Sequence, residues 1–282
     1  MLTRPSGGHR RVSGRVPGTV RGRGLSRGYS FDLTGRTVLV TGASSGIGKH
    51  LARVFANSGA RVVLTARRGA LLEDVQAEIS AAGGAAQAVE MDVADEASII
   101  GAYDAAEAAF GTVDSVVANA GLALGGSALG IPVDDFDRMV SVNLRGVFLT
   151  AREGARRMVA AGSPERGHGR IVLISSITAS FVAGGQVTYS ATKAGVVQMG
   201  RAMAYDWAGK GINVNVVCPG YIRTDLNDDY LDGPKGHELI AGFARKRVMD
   251  IGVLDPAILY LSSDASAEVT GSVFTIDDGQ SL

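Results

Sequence analysis

From residue 31 onward, short and almost wholly apolar runs alternate with segments whose apolar residues recur at helical spacing, and no linker interrupts the alternation. The runs at residues 37–40, 61–65, 86–91, 113–118, 170–175, 212–217 and 273–276 read as strands. Between them, helices are predicted beside Ile47, Leu51, Val54 and Phe55, then over residues 71–82, 96–110, 133–160, 186–207 and 255–261. Strands separated by helices must pair in parallel, because each helix supplies the crossover. Continuous rather than alternating hydrophobicity at 37–40, 61–65 and 171–174 is what a sheet covered on both faces requires. The expected fold is α/β, a doubly wound, Rossmann-like, seven-stranded parallel sheet in one domain over residues 31–282. A lid is expected at about 223–248.

Bulk properties narrow the function classes. At 282 residues the chain suits one large α/β domain. A lone cysteine, Cys218, excludes an intramolecular disulfide and fits a reducing, cytoplasmic setting. No apolar run approaches the roughly 18 residues that span a bilayer, so no membrane partner is expected. The four histidines are scattered and form no metal-ligand cluster. The formal charge of zero hides an asymmetry. Residues 1–30 hold no acid and seven of the 28 basic residues, leaving 21 against 28 acids in the rest. That acidic remainder argues against nucleic acid as a partner. The basic stretch reads first as a disordered extension or a start site set too early. An organelle presequence is the second reading and a polyanion contact the third.

The first strand runs into Thr41-Gly42-Ala43-Ser44-Ser45-Gly46-Ile47-Gly48. Unpaired N–H groups at the following helix start, together with its positive dipole end, make a seat for a pyrophosphate. The spacing G-x-x-x-G-x-G differs from the common G-x-G-x-x-G fingerprint. An acid at the end of the second strand would select NAD by holding the ribose hydroxyls. Ala66 stands there instead, followed by Arg67, whose guanidinium suits a 2′-phosphate. NADP(H) is therefore the expected cofactor, with NAD(H) the alternative.

At the chemical end, Tyr189 and Lys193 share a helix face at i and i+4. A free phenol, with pKa near ~10, exchanges protons poorly at neutral pH, and a nearby ammonium is expected to lower that value. Ser176, at the end of the fifth strand, is placed to hydrogen-bond a substrate oxygen and hold it against the phenol.

Taken together, residues 31–282 resemble the short-chain dehydrogenase/reductase family. The resemblance is carried by Gly42, Gly46 and Gly48, Asp92-Val93, Asn119-Ala120-Gly121, Asn143, Ser176, Tyr189-Ser190-Ala191-Thr192-Lys193 and Pro219-Gly220. It implies hydride transfer between a nicotinamide and a carbonyl or secondary alcohol, with Tyr189 as proton donor and acceptor and Ser176 stabilising the oxygen. It also implies that Lys193 holds the nicotinamide ribose and that Asn143 supports a water relaying protons to Lys193. Asp92 and Val93 would flank the adenine, and Asn119 and Gly121 would pass the adenosine half. Pro219, Gly220, Ile222 and Thr224 would line the nicotinamide side, with the carboxamide near Ile222. A homotetramer, or a homodimer, is implied, with Ala191, Ala194 and Gly195 permitting close helix approach.

Two departures from the family's patterns stand out. Ala118 occupies a position where many members carry asparagine, and Leu122-Ala123-Leu124-Gly125-Gly126 replaces the threonine-arginine-aspartate stretch of 3-oxoacyl-carrier-protein reductases. The predicted substrate walls near residues 122–127 and 177–186 are small and apolar and carry no arginine, which favours a neutral ketone or alcohol over a sugar acid. Two other classes stay open: a catalytically silent dinucleotide-binding regulator, and a same-fold lyase or epimerase with no net redox change. Met199, Met203 and Trp207, spaced by four, read as core or subunit packing.

Overall fold

The computed structural model describes residues 31–224 and 227–282; the basic extension at residues 1–30 lies outside them. Seven strands form one parallel sheet: β1 (Thr37–Thr41), β2 (Arg61–Ala66), β3 (Ala85–Glu90), β4 (Ser115–Ala118), β5 (Gly169–Ile174), β6 (Ile212–Pro219) and β7 (Val273–Ile276). Their spatial order is β3-β2-β1-β4-β5-β6-β7. The strand-helix-strand alternation makes the pairing parallel, since each crossover is helical: α1 (Gly46–Asn57), α2 (Gly69–Ala81), α3 (Glu96–Phe110), α4 (Val133–Val140) continuing into α5 (Val147–Ala160), α6 (Ser163–Arg166) and α7 (Val187–Trp207). The lid carries α8 (Asp228–Leu231) and α9 (Pro234–Gly242), and α10 (Asp255–Ser262) precedes β7.

The twofold period of the strands sorts their side chains into two cores. Leu39, Val63, Val116, Leu173 and Val216 enter one, against Ile99 and Tyr103 of α3 and Val196 and Met203 of α7. Val38, Val62, Val117, Val172 and Val217, each one residue away, enter the other, against Leu51 and Phe55 of α1, Leu72 of α2 and Ile258 of α10. A strand buried on both faces has no polar side, hence the continuous apolar runs. Met203 is buried and Met199 and Trp207 pack against the same core, so that helical stripe serves packing.

Within the helical region 133–160 the backbone changes at Ser141–Gly146 to a π-helical turn. Gly146 sits against Val93, where a Cβ would meet the Val93 carbonyl oxygen at 2.9 Å. Between β1's two neighbours, β2 and β4, the winding direction of the sheet reverses. A crevice opens at such a switch point, beyond the carboxyl ends of the strands.

Candidate active site

The crevice has a volume of about 700 Å³. At one end lie Gly42, Ser44, Ser45, Gly46 and Ile47; at the other, Ser176, Tyr189 and Lys193. The turn depends on its glycines. Gly42 and Gly46 have φ of +70° and +53°, and a Cβ on Gly48 would stand 2.3 Å from the Gly42 carbonyl oxygen. A side chain at Gly48 would push α1 off the turn, so that glycine holds the helix start where an anion can meet its N–H groups. Asn119 braces the same turn, its amide donating to the Thr41 carbonyl at 2.9 Å, and Asn119 and Ala120 donate backbone N–H groups to the Thr41 hydroxyl at 3.0 and 2.8 Å. Asp92, Val93, Gly121, Pro219, Gly220 and Thr224 also line the crevice. Ile222 does not: its side chain is 4% exposed and sits in the core, with its backbone bridged to Met249.

Two arginines follow β2. Arg67 lines the crevice, exposed. Arg68, passed over in the sequence, reaches across the turn and donates from Nη2 to the hydroxyls of Ser44 at 2.9 Å and Ser45 at 2.8 Å. Its guanidinium stands over the glycine turn. At a strand end the side-chain direction of two adjacent residues depends on how the strand leaves the sheet, which composition does not encode.

The chemical end is held by hydrogen bonds between β5 and α7. The Ser175 hydroxyl donates to the Lys193 carbonyl at 2.8 Å, and Lys193 Nζ donates to the Ile174 carbonyl at 3.0 Å. Lys193 is 3% exposed, and burial pushes its ammonium down from 10.5 to about 8. The ammonium lies 5.6 Å from the centre of the Tyr189 ring. Burial raises the Tyr189 phenol, and a hydrogen bond from Ser176 acts against that rise. The expectation of a phenol lowered by the adjacent ammonium is thus not what the geometry produces: Lys193 is committed to a backbone carbonyl, and desolvation of the phenol dominates.

Asn143 lies in the π-helical turn, fully buried. Its side chain closes a two-point clamp on the Leu122 backbone, accepting from the N–H at 2.9 Å and donating to the carbonyl at 2.8 Å. The amide therefore fixes the start of the 122–127 wall. Gly121 lets both groups approach, since a Cβ there would meet Asn143 Oδ1 at 3.4 Å and Lys193 Nζ at 3.5 Å. On the far side of the crevice, Gln280 holds Tyr221 the same way, accepting from its N–H at 2.6 Å and donating to its carbonyl at 3.2 Å. Nothing in the spacing of residues 143 and 122, or 280 and 221, announces either clamp.

A parallel sheet wound in this order, with a phosphate-seating turn opening its switch-point crevice, defines a Rossmann-type dinucleotide-binding protein. The family profile of the short chain dehydrogenases matches residues 36–234. D-threitol dehydrogenase of Mycolicibacterium smegmatis is 34% identical over 258 residues, covering 92% of this chain and 97% of that protein. L-rhamnose 1-dehydrogenase (NAD(P)+) of Azotobacter vinelandii is 39% identical over 254 residues, covering 88% and 97%. The crystal structure of a gluconate 5-dehydrogenase from Burkholderia cenocepacia in complex with NADP and tartrate superposes with a TM-score of 0.83 at 34% identity, over 89% of this chain and 97% of that one. The chain belongs to the short-chain dehydrogenase/reductase family. It is an NAD(P)-dependent oxidoreductase of alcohol and carbonyl groups.

Proposed function

We propose that the protein interconverts a neutral ketone and a secondary alcohol with NADP(H), using Ser176, Tyr189 and Lys193. The observation that carries this reading is their meeting at one end of a crevice whose other end is the glycine turn under Arg68. When bound, the nicotinamide supplies or accepts the hydride. The protein's part is to place the substrate oxygen and move its proton. Ser176 donates a hydrogen bond to that oxygen, where charge develops as the carbonyl is reduced. Tyr189 delivers the proton, and in oxidation removes it. Lys193, buried beside the tyrosine ring, holds ribose hydroxyls and keeps positive charge near a forming phenolate. Asn143 keeps the wall at Leu122 in register with these groups.

Arg67 and Arg68 support NADP(H) over NAD(H): Ala66, not an acid, ends β2, and both arginines that follow line the crevice and suit a 2′-phosphate. The lid favours a neutral substrate. Arg223 is paired with Asp228 at 3.0 Å and Asp232 at 2.9 Å, and Arg245 and Arg247 are both paired with Asp278. None of the three is free to clamp a substrate carboxylate. A panel of D-threitol, L-rhamnose, cyclohexanol, cyclohexanone and gluconate, followed by nicotinamide absorbance with each cofactor, tests the reading. Turnover of the neutral members with NADP(H) is expected; turnover confined to gluconate, or an NAD(H) preference, overturns the corresponding part.

A further inference from the structure

Thr178 sits two residues beyond Ser176 on the 3₁₀ turn Ile177–Ala179, and both side chains are buried. Among the described residues the Thr178 hydroxyl has one hydrogen-bond partner, the Ser176 hydroxyl, at 3.0 Å. A hydroxyl proton enclosed by protein needs an acceptor, and here that acceptor is Ser176 Oγ. The same oxygen accepts the Thr178 backbone N–H at 3.2 Å, capping the turn. A hydroxyl offers two lone pairs and one hydrogen. Thr178 fills both lone pairs, one from its amide and one from its side chain.

The geometry points to Thr178 as a positioning residue that commits the Ser176 hydroxyl to act as a donor toward the reacting oxygen. The inference rests on the role proposed above for Ser176. Its consequence is directional. A carbonyl receives the Ser176 hydrogen bond, strongest as alkoxide character develops. An alcohol finds no lone pair on Ser176 and must pass its proton to Tyr189. Without the threonine hydroxyl, Ser176 regains a lone pair and can accept from the alcohol, an arrangement in which the proton does not reach Tyr189.

The test uses the full chain and the fastest member of the substrate panel. Thr178→Val keeps the shape and removes the hydroxyl; roughly a tenfold fall in kcat is expected, the size of one neutral hydrogen bond, with KM changed less than kcat and NADPH affinity unchanged. Thr178→Ser restores the rate. In the Ser176→Ala background, Thr178→Val causes no further loss, because it acts through the serine. Ultraviolet titration of the cofactor-free protein, with Tyr189→Phe identifying the signal, shows the Tyr189 phenol titrating higher in Thr178→Val than in wild type. Wild-type kcat in Thr178→Val, an equal loss in Thr178→Ser, or an additive loss with Ser176→Ala overturns the inference, the last because Thr178 would then touch substrate itself. If Ser176→Ala turns over like wild type, the proposed role of Ser176 fails and takes this inference with it; if Ser176→Ala is crippled and Thr178→Val is not, this inference alone fails.

Discussion

Lys193 and Tyr189 lie one helical turn apart on α7, with the ammonium 5.6 Å from the ring centre and hydrogen-bonded to the Ile174 carbonyl at 3.0 Å. The lysine is therefore anchored to the sheet, and it presents its charge to the tyrosine from a fixed place. This separates the two residues' contributions. Tyr189→Phe removes the proton carrier, and a loss of 10²–10⁴ in kcat/KM is expected, with NADPH affinity within about threefold of wild type by fluorescence titration. Near wild-type turnover in that variant would remove the mechanism.

Lys193 also makes the fold less stable than it would otherwise be. Its amine is pushed from 10.5 to about 8 by burial, so between those values the unfolded chain binds more protons than the folded one and stability rises with pH. Below about 8 the cost of the buried ammonium is fully present, on the order of 3 kcal/mol. Lys193→Met should be inactive yet melt higher than wild type at pH 7, with the gap narrowing toward pH 10. A lower melting temperature at pH 7 would contradict this account.

The two arginines after β2 are separable. Arg68→Ala should weaken NADPH binding about 10- to 100-fold, the worth of charge-assisted hydrogen bonds to a phosphate, and Arg67→Ala should act in the same direction. NADH affinity should change less than about threefold in either. Isothermal titration with both cofactors decides; equal losses would mean that the guanidiniums brace the turn and do not read the phosphate.

Gly48→Ala forces a Cβ to within 2.3 Å of the Gly42 carbonyl oxygen. Dinucleotide binding should be lost and the melting temperature lowered. Gly101 on α3 has open space around it, so Gly101→Ala should be neutral or stabilise by about 0.5–1 kcal/mol. Comparable melting curves for the two variants would show that the close approach at Gly48 is unimportant.

At the opposite end of the sheet, Arg36 and Arg170, both buried, converge on Asp264, with Arg36 Nη2 at 2.5 Å. Burial and the Arg36 charge lower His168, and Arg36, with His168 and Arg170, outweighs partial burial to hold the Asp264 carboxyl low. Both shifts make stability fall as pH drops: His168 from about 6.5 downward, Asp264 below the usual carboxylate range. Asp264→Asn should lower the melting temperature at pH 7 and flatten the acid limb while leaving kcat untouched. A change in kcat would tie this cluster to the crevice.

Subunit association is expected through the long helices. Val133 and Phe136 on α4 and Phe148 on α5 are exposed, as are the small residues Ala191 and Ala194 on α7. Ala194→Glu should lower the mass measured by sedimentation; a wild-type protein that sediments as a monomer would dismiss the expectation.

Much of this architecture was legible in the linear chain. Strand β7 and helix α3 lie where periodicity puts them, and the other boundaries shift by one or two residues, because apolar period sets an element while hydrogen bonding sets its ends. The π-helical turn at Ser141–Gly146 was not legible. It is a response to packing on Val93 and to the Asn143 clamp, and both partners come from distant segments.

By itself, then, the order of amino acids determined the alternation of strands and helices, the glycine turn and the pairing of Tyr189 with Lys193, since each depends on neighbours within a few positions. Only the folded chain decided that Arg68 lies over the turn, that Lys193 binds a carbonyl instead of the phenol, and that Thr178 occupies the lone pairs of Ser176. Those outcomes turn on side-chain direction and desolvation, which arise where separate strands, helices and loops converge and take no definite value before they do.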